Sequence, residues 1–342
     1  MTVQELDFER PEHLQASQPA EREGKPRDGV RLLVSQLHHH QHSRFTDLPN
    51  HLRAGDVLVV NDSATLPASL SAVGSIGPFL LNLSSKYSDH LWLAEPRLSA
   101  SHPGPLPLRE GELLEIAGTK ARLVCQHPAL PRLWFVHVDT PIDRVLHHYG
   151  SPIRYGYVNE TYPLESYQTI FAKKPGSAEM PSAARPFTKR VLDDLIQKGI
   201  EIASITLHTG VSSLEIETDD LEAHQLYAEP FEVSEQTATK VNEAKAEGRR
   251  VIAVGTTVVR ALESAWKGRL RGVKGFTSRY IRPGASANLI DGLLTGFHDP
   301  KASHLAMLYA VAGKNLIQEG YKEAVDKGYL WHEFGDSHLI LV

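Results

Sequence analysis

The strand–turn–helix pattern VIAVGTTVVRALES is the strongest chemical signal in the chain. Gly255 stands where an apolar run ends and a helical pattern begins, so Thr256 and Thr257 open a helix. Their hydroxyls and the unsatisfied N–H groups of a first helical turn favour an anion such as a carboxylate or phosphate. An ordinary capped turn has the same spacing, and the later glycines of a dinucleotide fingerprint are absent. His208, His224 and Glu229, within ITLHTGVSSLE and LEAHQLYAEP, are residue types that transfer protons, although polar groups at strand ends also serve structure alone. Asn61 and Asp62 close the run GDVLVVND. Such a pair faces a crevice in many α/β proteins, and an Asx turn is the plain alternative. Arg27, Asp28 and Arg31 read either as a salt-bridged lead-in to the first strand or as a binding group. The run HHHQH would put His38, His40 and His42 on one face of a strand. It lacks carboxylates or cysteines at ligand spacing, so a solvated loop or edge strand is expected and no metal site. Cys125 alternates with apolar neighbours and is expected as a buried filler.

The elements that must position these groups have two textures. VRLLV and GDVLVVN are short, branched and apolar, as strands are, and follow a Pro-, Glu- and Arg-rich segment expected to be extended. From about residue 65 to 150, PFLLNL, HLWLAE, ELLEIAG, KARLVCQ and RLWFVHV recur between turn-rich stretches, with no helical period before DRVLHHYG. Close-spaced strands without helices predict a small antiparallel barrel. Further on, helix and strand alternate, which predicts an α/β layer. Thr188 and Ser234 are the N-caps expected for two of those helices, and SHLAMLYAVAGKNLIQEG reads as one long helix opened by Ser303. The resulting expectation is an α/β main domain, residues 1–64 and 151–342, with a small antiparallel β-barrel domain inserted at 65–150.

The 342 residues are enough for two domains at roughly 100–200 residues each. An apolar fraction of 41% supports a packed interior, and the net charge of −5 argues against a broadly basic nucleic-acid grip without forbidding a local patch. One cysteine excludes an internal disulfide and fits a reducing compartment. No run approaches the ~20 apolar residues of a membrane span, so a cytoplasmic protein without membrane partners is expected.

Taken in order, several blocks resemble the S-adenosylmethionine:tRNA ribosyltransferase-isomerase family over nearly the whole chain: RDGVRLLV, HSRFTDLPNHLRAGDVLVVNDSATLPASL, ESYQTIFA, AHQLYAEPFEVS, RVIAVGTTVVRALES, LLTGFHDPKASHLAMLYAVAG and FGDSHLI. The resemblance implies an α/β domain with an inserted barrel. It implies transfer and isomerisation of the ribosyl unit of S-adenosylmethionine to 7-aminomethyl-7-deazaguanine in tRNA, giving epoxyqueuosine-tRNA, adenine and methionine. S-adenosylmethionine enters as a co-substrate, tRNA as the partner, and neither metal nor redox cofactor is required. By motif, Arg27, Asp28, Arg31, Asn61, Asp62, Tyr167, Gln168, Gly255, Thr256, Thr257, Arg260, His298, Lys301 and Asp336 become expected binding residues. Arg260 would sit near the donor carboxylate, and His208, His224 and Glu229 near the acid–base centre.

The chain departs from the family run close to GSVAAPTAGLHFT, reading GSAEMPSAARPFT. Glu179 and Met180 replace small residues, Arg185 an apolar one, and Pro186 a histidine. Tyr227 replaces a second histidine, and Ser69, Gly296 and Asp299 depart as well. Two other readings therefore stand beside the tRNA-modifying one: a paralogue with a non-tRNA acceptor, and a binding protein without turnover.

Overall fold

The computed structural model describes every residue except 1, 38, 212–215, 217–220 and 286–288. Its larger sheet has nine strands in the order Val273–Thr277, Glu229–Val233, Glu201–Leu207, Val57–Asn61, Val251–Val254, Gly292–Gly296, Ser337–Leu341, Arg31–Gln36 and His39–Arg44. The four from Glu201–Leu207 to Gly292–Gly296 run parallel. Val57–Asn61 lies among them with every residue buried, as a strand covered on both faces must be. Parallel strands place their carboxyl ends on one edge, and Asn61, His208, Gly255 and Phe297 all lie at or just after such an end. Ser337–Leu341 runs antiparallel to Gly292–Gly296, which brings the loop before it to the same edge.

The smaller sheet contains Leu130–Val138, Thr119–His127, Leu113–Ile116, Ser69–Gly74, Gly77–Lys86 and Leu91–Ser99, and closes because Leu130–Val138 also pairs with Leu91–Ser99. This is the expected antiparallel barrel, with Trp92, Leu81, Leu123 and Val136 in its core. A short parallel pairing of Lys174–Ser177 with Ser63–Thr65 lies beside the junction.

The capping expectations hold: Thr188 accepts from Val191 N at 3.5 Å and Ser234 from Thr237 N at 3.1 Å. Each such cap is worth about 1 kcal/mol. The single long helix near the end is instead two, Ser303–Ala312 and Lys314–Asp326. Gly313 breaks it, with φ 83° and ψ 149°, a conformation only glycine adopts readily. Ser303 is the first helical residue and Ala302 the cap. The N-terminal segment carries short 3-10 turns at Glu12–Leu14 and Ala20–Glu23 rather than running extended throughout. Cys125 is half-buried because a bulge between Leu123 and Cys125 shifts the register there.

Candidate functional site

Gly255 ends its strand with φ 95°, turning the chain straight into the helix Thr256–Ala265. An L side chain there would be strained, so glycine is required by the backbone. The Thr256 and Thr257 N–H groups open the helix beside a cleft at the carboxyl edge of the sheet, while Val258 N donates to Gly255 O at 3.2 Å. Thr257 is fixed from behind: its Oγ1 lies 3.3 Å from Asn61 Nδ2. The same amide donates to Leu207 O at 2.9 Å, and Asn61 Oδ1 accepts from Ser63 N and Leu207 N at 3.1 and 3.0 Å. Asn61 thus ties two strand ends to the helix start and has its polar atoms committed to the protein.

Arg260, one turn into that helix, lines the cleft and is paired with Glu229 across the buried wall. Its Nε donates to Arg279 O at 3.2 Å, and Glu229 Oε1 accepts Gly210 N at 2.7 Å. The guanidinium is therefore held in place by a carboxylate, and any anionic ligand shares it with Glu229. That pairing makes Glu229 an anchor of Arg260.

The facing residues come from the loops after Gly292–Gly296 and before Ser337–Leu341. His298 Nε2 lies 2.9 Å from Thr295 Oγ1, and its ring stacks on His304 at 4.8 Å. Burial holds His298 well below the ordinary imidazole range, with His304 adding to it. Burial, then the charge of Arg260, pushes His304 down to about 4. Asp299 accepts His332 and lies 3.0 Å from Arg10 Nε. Tyr155 donates a hydrogen bond to Glu179. Glu333 is pushed up to about 8, by burial first and the nearby Glu179 second.

Of the expected site residues, Gly255, Thr256, Thr257, Arg260 and His298 meet at this cleft, with Asn61 and Glu229 immediately behind. The others are satisfied elsewhere. His208 Nδ1 lies 2.8 Å from Ser63 Oγ, packed so closely on Gly176 that a Cβ there would come within 2.4 Å of the ring. Burial lowers its pKa. His224 is buried edge-on to Tyr280. Asp62 accepts Thr206 Oγ1 at 2.6 Å. Arg27 donates to Gln168 O at 2.7 Å and to Glu21, while Asp28 accepts Thr188 Oγ1 at 2.6 Å and pairs with Arg190. Gln168 brackets the backbone of Thr65 at 3.0 and 2.8 Å, and Tyr167 packs on Phe334. Lys301 pairs with Asp7 at 3.0 Å, and Arg31 with Asp336 at 2.8 Å. In this structure Arg27, Asp28 and Arg31 each pair with a charged partner within the chain.

The departures divide in the same way. Glu179, Met180, Gly296 and Asp299 line the cleft. Arg185 turns away to Glu21 and Ser166 O, both at 3.0 Å, and Tyr227 donates to Val211 O at 2.7 Å. In the HHHQH run, His40 meets Ser35 Oγ at 2.8 Å and His42 meets Glu323 at 2.9 Å on an edge strand. His38 lies outside the described residues, as does the end of LHTGVSSLE, and no group among the described residues could hold a metal.

Sequence reasoning missed His304, His332, Glu333 and Thr209. His304 lies inside an apolar helical pattern, and His332 and Glu333 precede a GD pair that drew attention to itself.

A family model described as queuosine biosynthesis protein matches residues 3–340. Proteins named S-adenosylmethionine:tRNA ribosyltransferase-isomerase are similar along the full length. The one from Desulfitobacterium hafniense is 37% identical, covering 100% of both chains. The one from Thermus thermophilus is also 37% identical, covering 96% of this chain and 97% of its own. The crystal structure of S-adenosylmethionine tRNA ribosyltransferase from Thermotoga maritima superimposes with a TM-score of 0.55 at 27% identity, over 98% of this chain and all of the other.

Proposed function

Since this chain belongs to the queuosine biosynthesis family of S-adenosylmethionine:tRNA ribosyltransferase-isomerases, we propose that its cleft binds S-adenosylmethionine and passes the ribosyl unit to tRNA. The protein is an enzyme. It transfers and isomerises the ribosyl moiety to 7-aminomethyl-7-deazaguanine, giving epoxyqueuosine-tRNA, adenine and methionine. The observation that carries this reading is the helix start at Gly255–Thr257, open to a cleft at the carboxyl edge of the parallel strands. In it the donor carboxylate meets the first-turn N–H groups, with Arg260 adding a charge already shared with Glu229.

The sulfonium acidifies the neighbouring C5′ hydrogens, so a modest base removes one. The resulting ylide leads to expulsion of adenine, the acceptor amine attacks the sugar, and epoxide closure releases methionine. The walls of the cleft keep water from these intermediates. This reading needs no metal or redox cofactor. With tRNA as co-substrate it places the enzyme in the cytoplasm, and no helix among the described residues is long and apolar enough to cross a membrane. The inserted barrel, 65–150, is taken as a second domain flanking the main one at 1–64 and 151–342. Neither alternative, another acceptor or binding without turnover, gains support from the relatives.

Incubation with S-adenosylmethionine and tRNA bearing the deazaguanine precursor tests the reading. Adenine and methionine should appear only when both are present. Release without RNA, or donor uptake with no release, would overturn it.

A further inference from the structure

The loop between Lys314–Asp326 and Ser337–Leu341 is braced on every side. Trp331 is fully buried, its Nε1 donates to His298 O at 3.0 Å, and its backbone pairs with Leu14 and Ala16. The Asp336 carboxylate takes Leu330 N at 2.8 Å. Gly335 has no room for a side chain, since a Cβ would meet Leu330 O at 2.4 Å. His332 takes a left-handed φ of 70°, rare outside glycine. This turn delivers Glu333 to the cleft.

The Glu333 carboxyl has no hydrogen-bond or ion-pair partner among the described residues. Its titratable neighbours are Glu179, Arg185, Tyr157 and Tyr167, with His332 adjacent. Arg185 is committed to Glu21, Glu179 to Tyr155 and His332 to Asp299. Two carboxyls facing one enclosed space do not both ionise readily. A second observation points to a ligand: Thr209, 5% exposed and lining the same cleft, has a hydroxyl without a partner among the described residues. This wall therefore presents polar groups that the protein leaves for something else to satisfy.

We propose that Glu333 is the general acid of this cleft, delivering its proton to the adenine that leaves the donor. The proposal rests on the ribosyl-transfer reading above. The bond from the anomeric carbon to the adenine nitrogen breaks, and its electron pair departs with the base. The pair left at C5′ by deprotonation becomes a C4′–C5′ double bond, the C4′–oxygen bond breaks, and its pair fills the anomeric carbon as a carbonyl. The Glu333 proton goes to the purine, leaving neutral adenine and a carboxylate that recovers a proton from solvent. Glu333 keeps its proton at neutral pH, whereas His304, pushed down to about 4, has none to give.

The test is the adenine-release rate of Glu333→Gln with precursor tRNA. A fall of about 100-fold or more is expected, with S-adenosylmethionine binding by calorimetry unchanged and the alkaline limb of the pH profile abolished. A donor carrying 2-fluoroadenine, a better leaving base, should recover most of the lost rate. Glu333→Ser serves if the glutamine variant fails to fold. Wild-type turnover in the variant, equal losses with both leaving bases, or the same loss and rescue in His332→Gln would each overturn the proposal. A wild-type enzyme that releases no adenine at all would sink the ribosyl-transfer reading instead, and is read from the unsubstituted protein alone.

Discussion

Asp336 receives from Arg31 a backbone N–H at 2.7 Å and two guanidinium N–H groups at 2.8 and 3.1 Å, across 305 residues of sequence. It also accepts Leu330 N, so one carboxylate closes the first strand onto the loop that carries Glu333. Asp336→Ala leaves two backbone donors without their acceptor and should destabilise by about 1–3 kcal/mol in urea unfolding. Arg31→Met takes two guanidinium donors from the buried Asp336 carboxylate but keeps its backbone donors, and should cost less than Asp336→Ala. Equal losses would contradict the bracing role assigned to Asp336.

Glu229 and Arg260 are both nearly inaccessible, at 2% and 6% exposure. Removing either partner alone strands a buried charge, with an expected cost of about 3–5 kcal/mol. The double variant Glu229→Leu with Arg260→Met should lose much less than the sum of the singles. Simple additivity in the unfolding cycle would show that the two residues act independently.

Thr257→Ala removes a helix-start hydroxyl and the partner of Asn61 Nδ2. Affinity for S-adenosylmethionine should fall about tenfold, the size of one hydrogen bond, with tRNA affinity unchanged. Parallel calorimetry and filter binding check this, and an equal loss in both would move the donor away from this turn.

His338 is fully buried against Ser35 Oγ at 2.7 Å, and burial pushes it down to about 3 from an ordinary 6.5. Between those values the unfolded chain binds more protons, so stability rises with pH. The contribution is whole above about 6.5 and is lost as pH falls toward 3. His338→Gln keeps a hydrogen-bonding side chain but does not titrate, so its thermal midpoint should fall less steeply from pH 6.5 to 4 than that of the wild type. Identical slopes would assign the acid sensitivity to the carboxylates.

Much of the architecture was legible because periodicity reports burial. The runs around Val57, Leu81 and Ile252 read as strands, and Thr188 and Ser234 announced their helices. The turn at Gly255 was legible for a local reason, a glycine between an apolar strand and two threonines. The cleft's other wall was not, because its residues lie far apart in sequence and gain their chemistry from enclosure. Glu333 and His304 look like any surface glutamate or helical histidine until burial shifts them in opposite directions. Conversely, Arg27, Asp28 and Lys301 matched family blocks, yet their charges are neutralised by Glu21, Arg190 and Asp7. Sequence identifies such residues as constrained without saying whether a ligand or the fold imposes the constraint.

Ala178 and Val211 lie within two residues of the cleft-lining Glu179 and Thr209, yet their side chains are buried in the barrel core, and Val211 N donates to the barrel's Ser84 Oγ at 2.9 Å. Tyr87 stacks on Phe276 at 5.4 Å, fastening the barrel to the far margin of the large sheet as well. A chimera that exchanged only the barrel for that of a relative would therefore have to pack the new core around Ala178 and Val211. The transplant unit is the barrel together with those two residues.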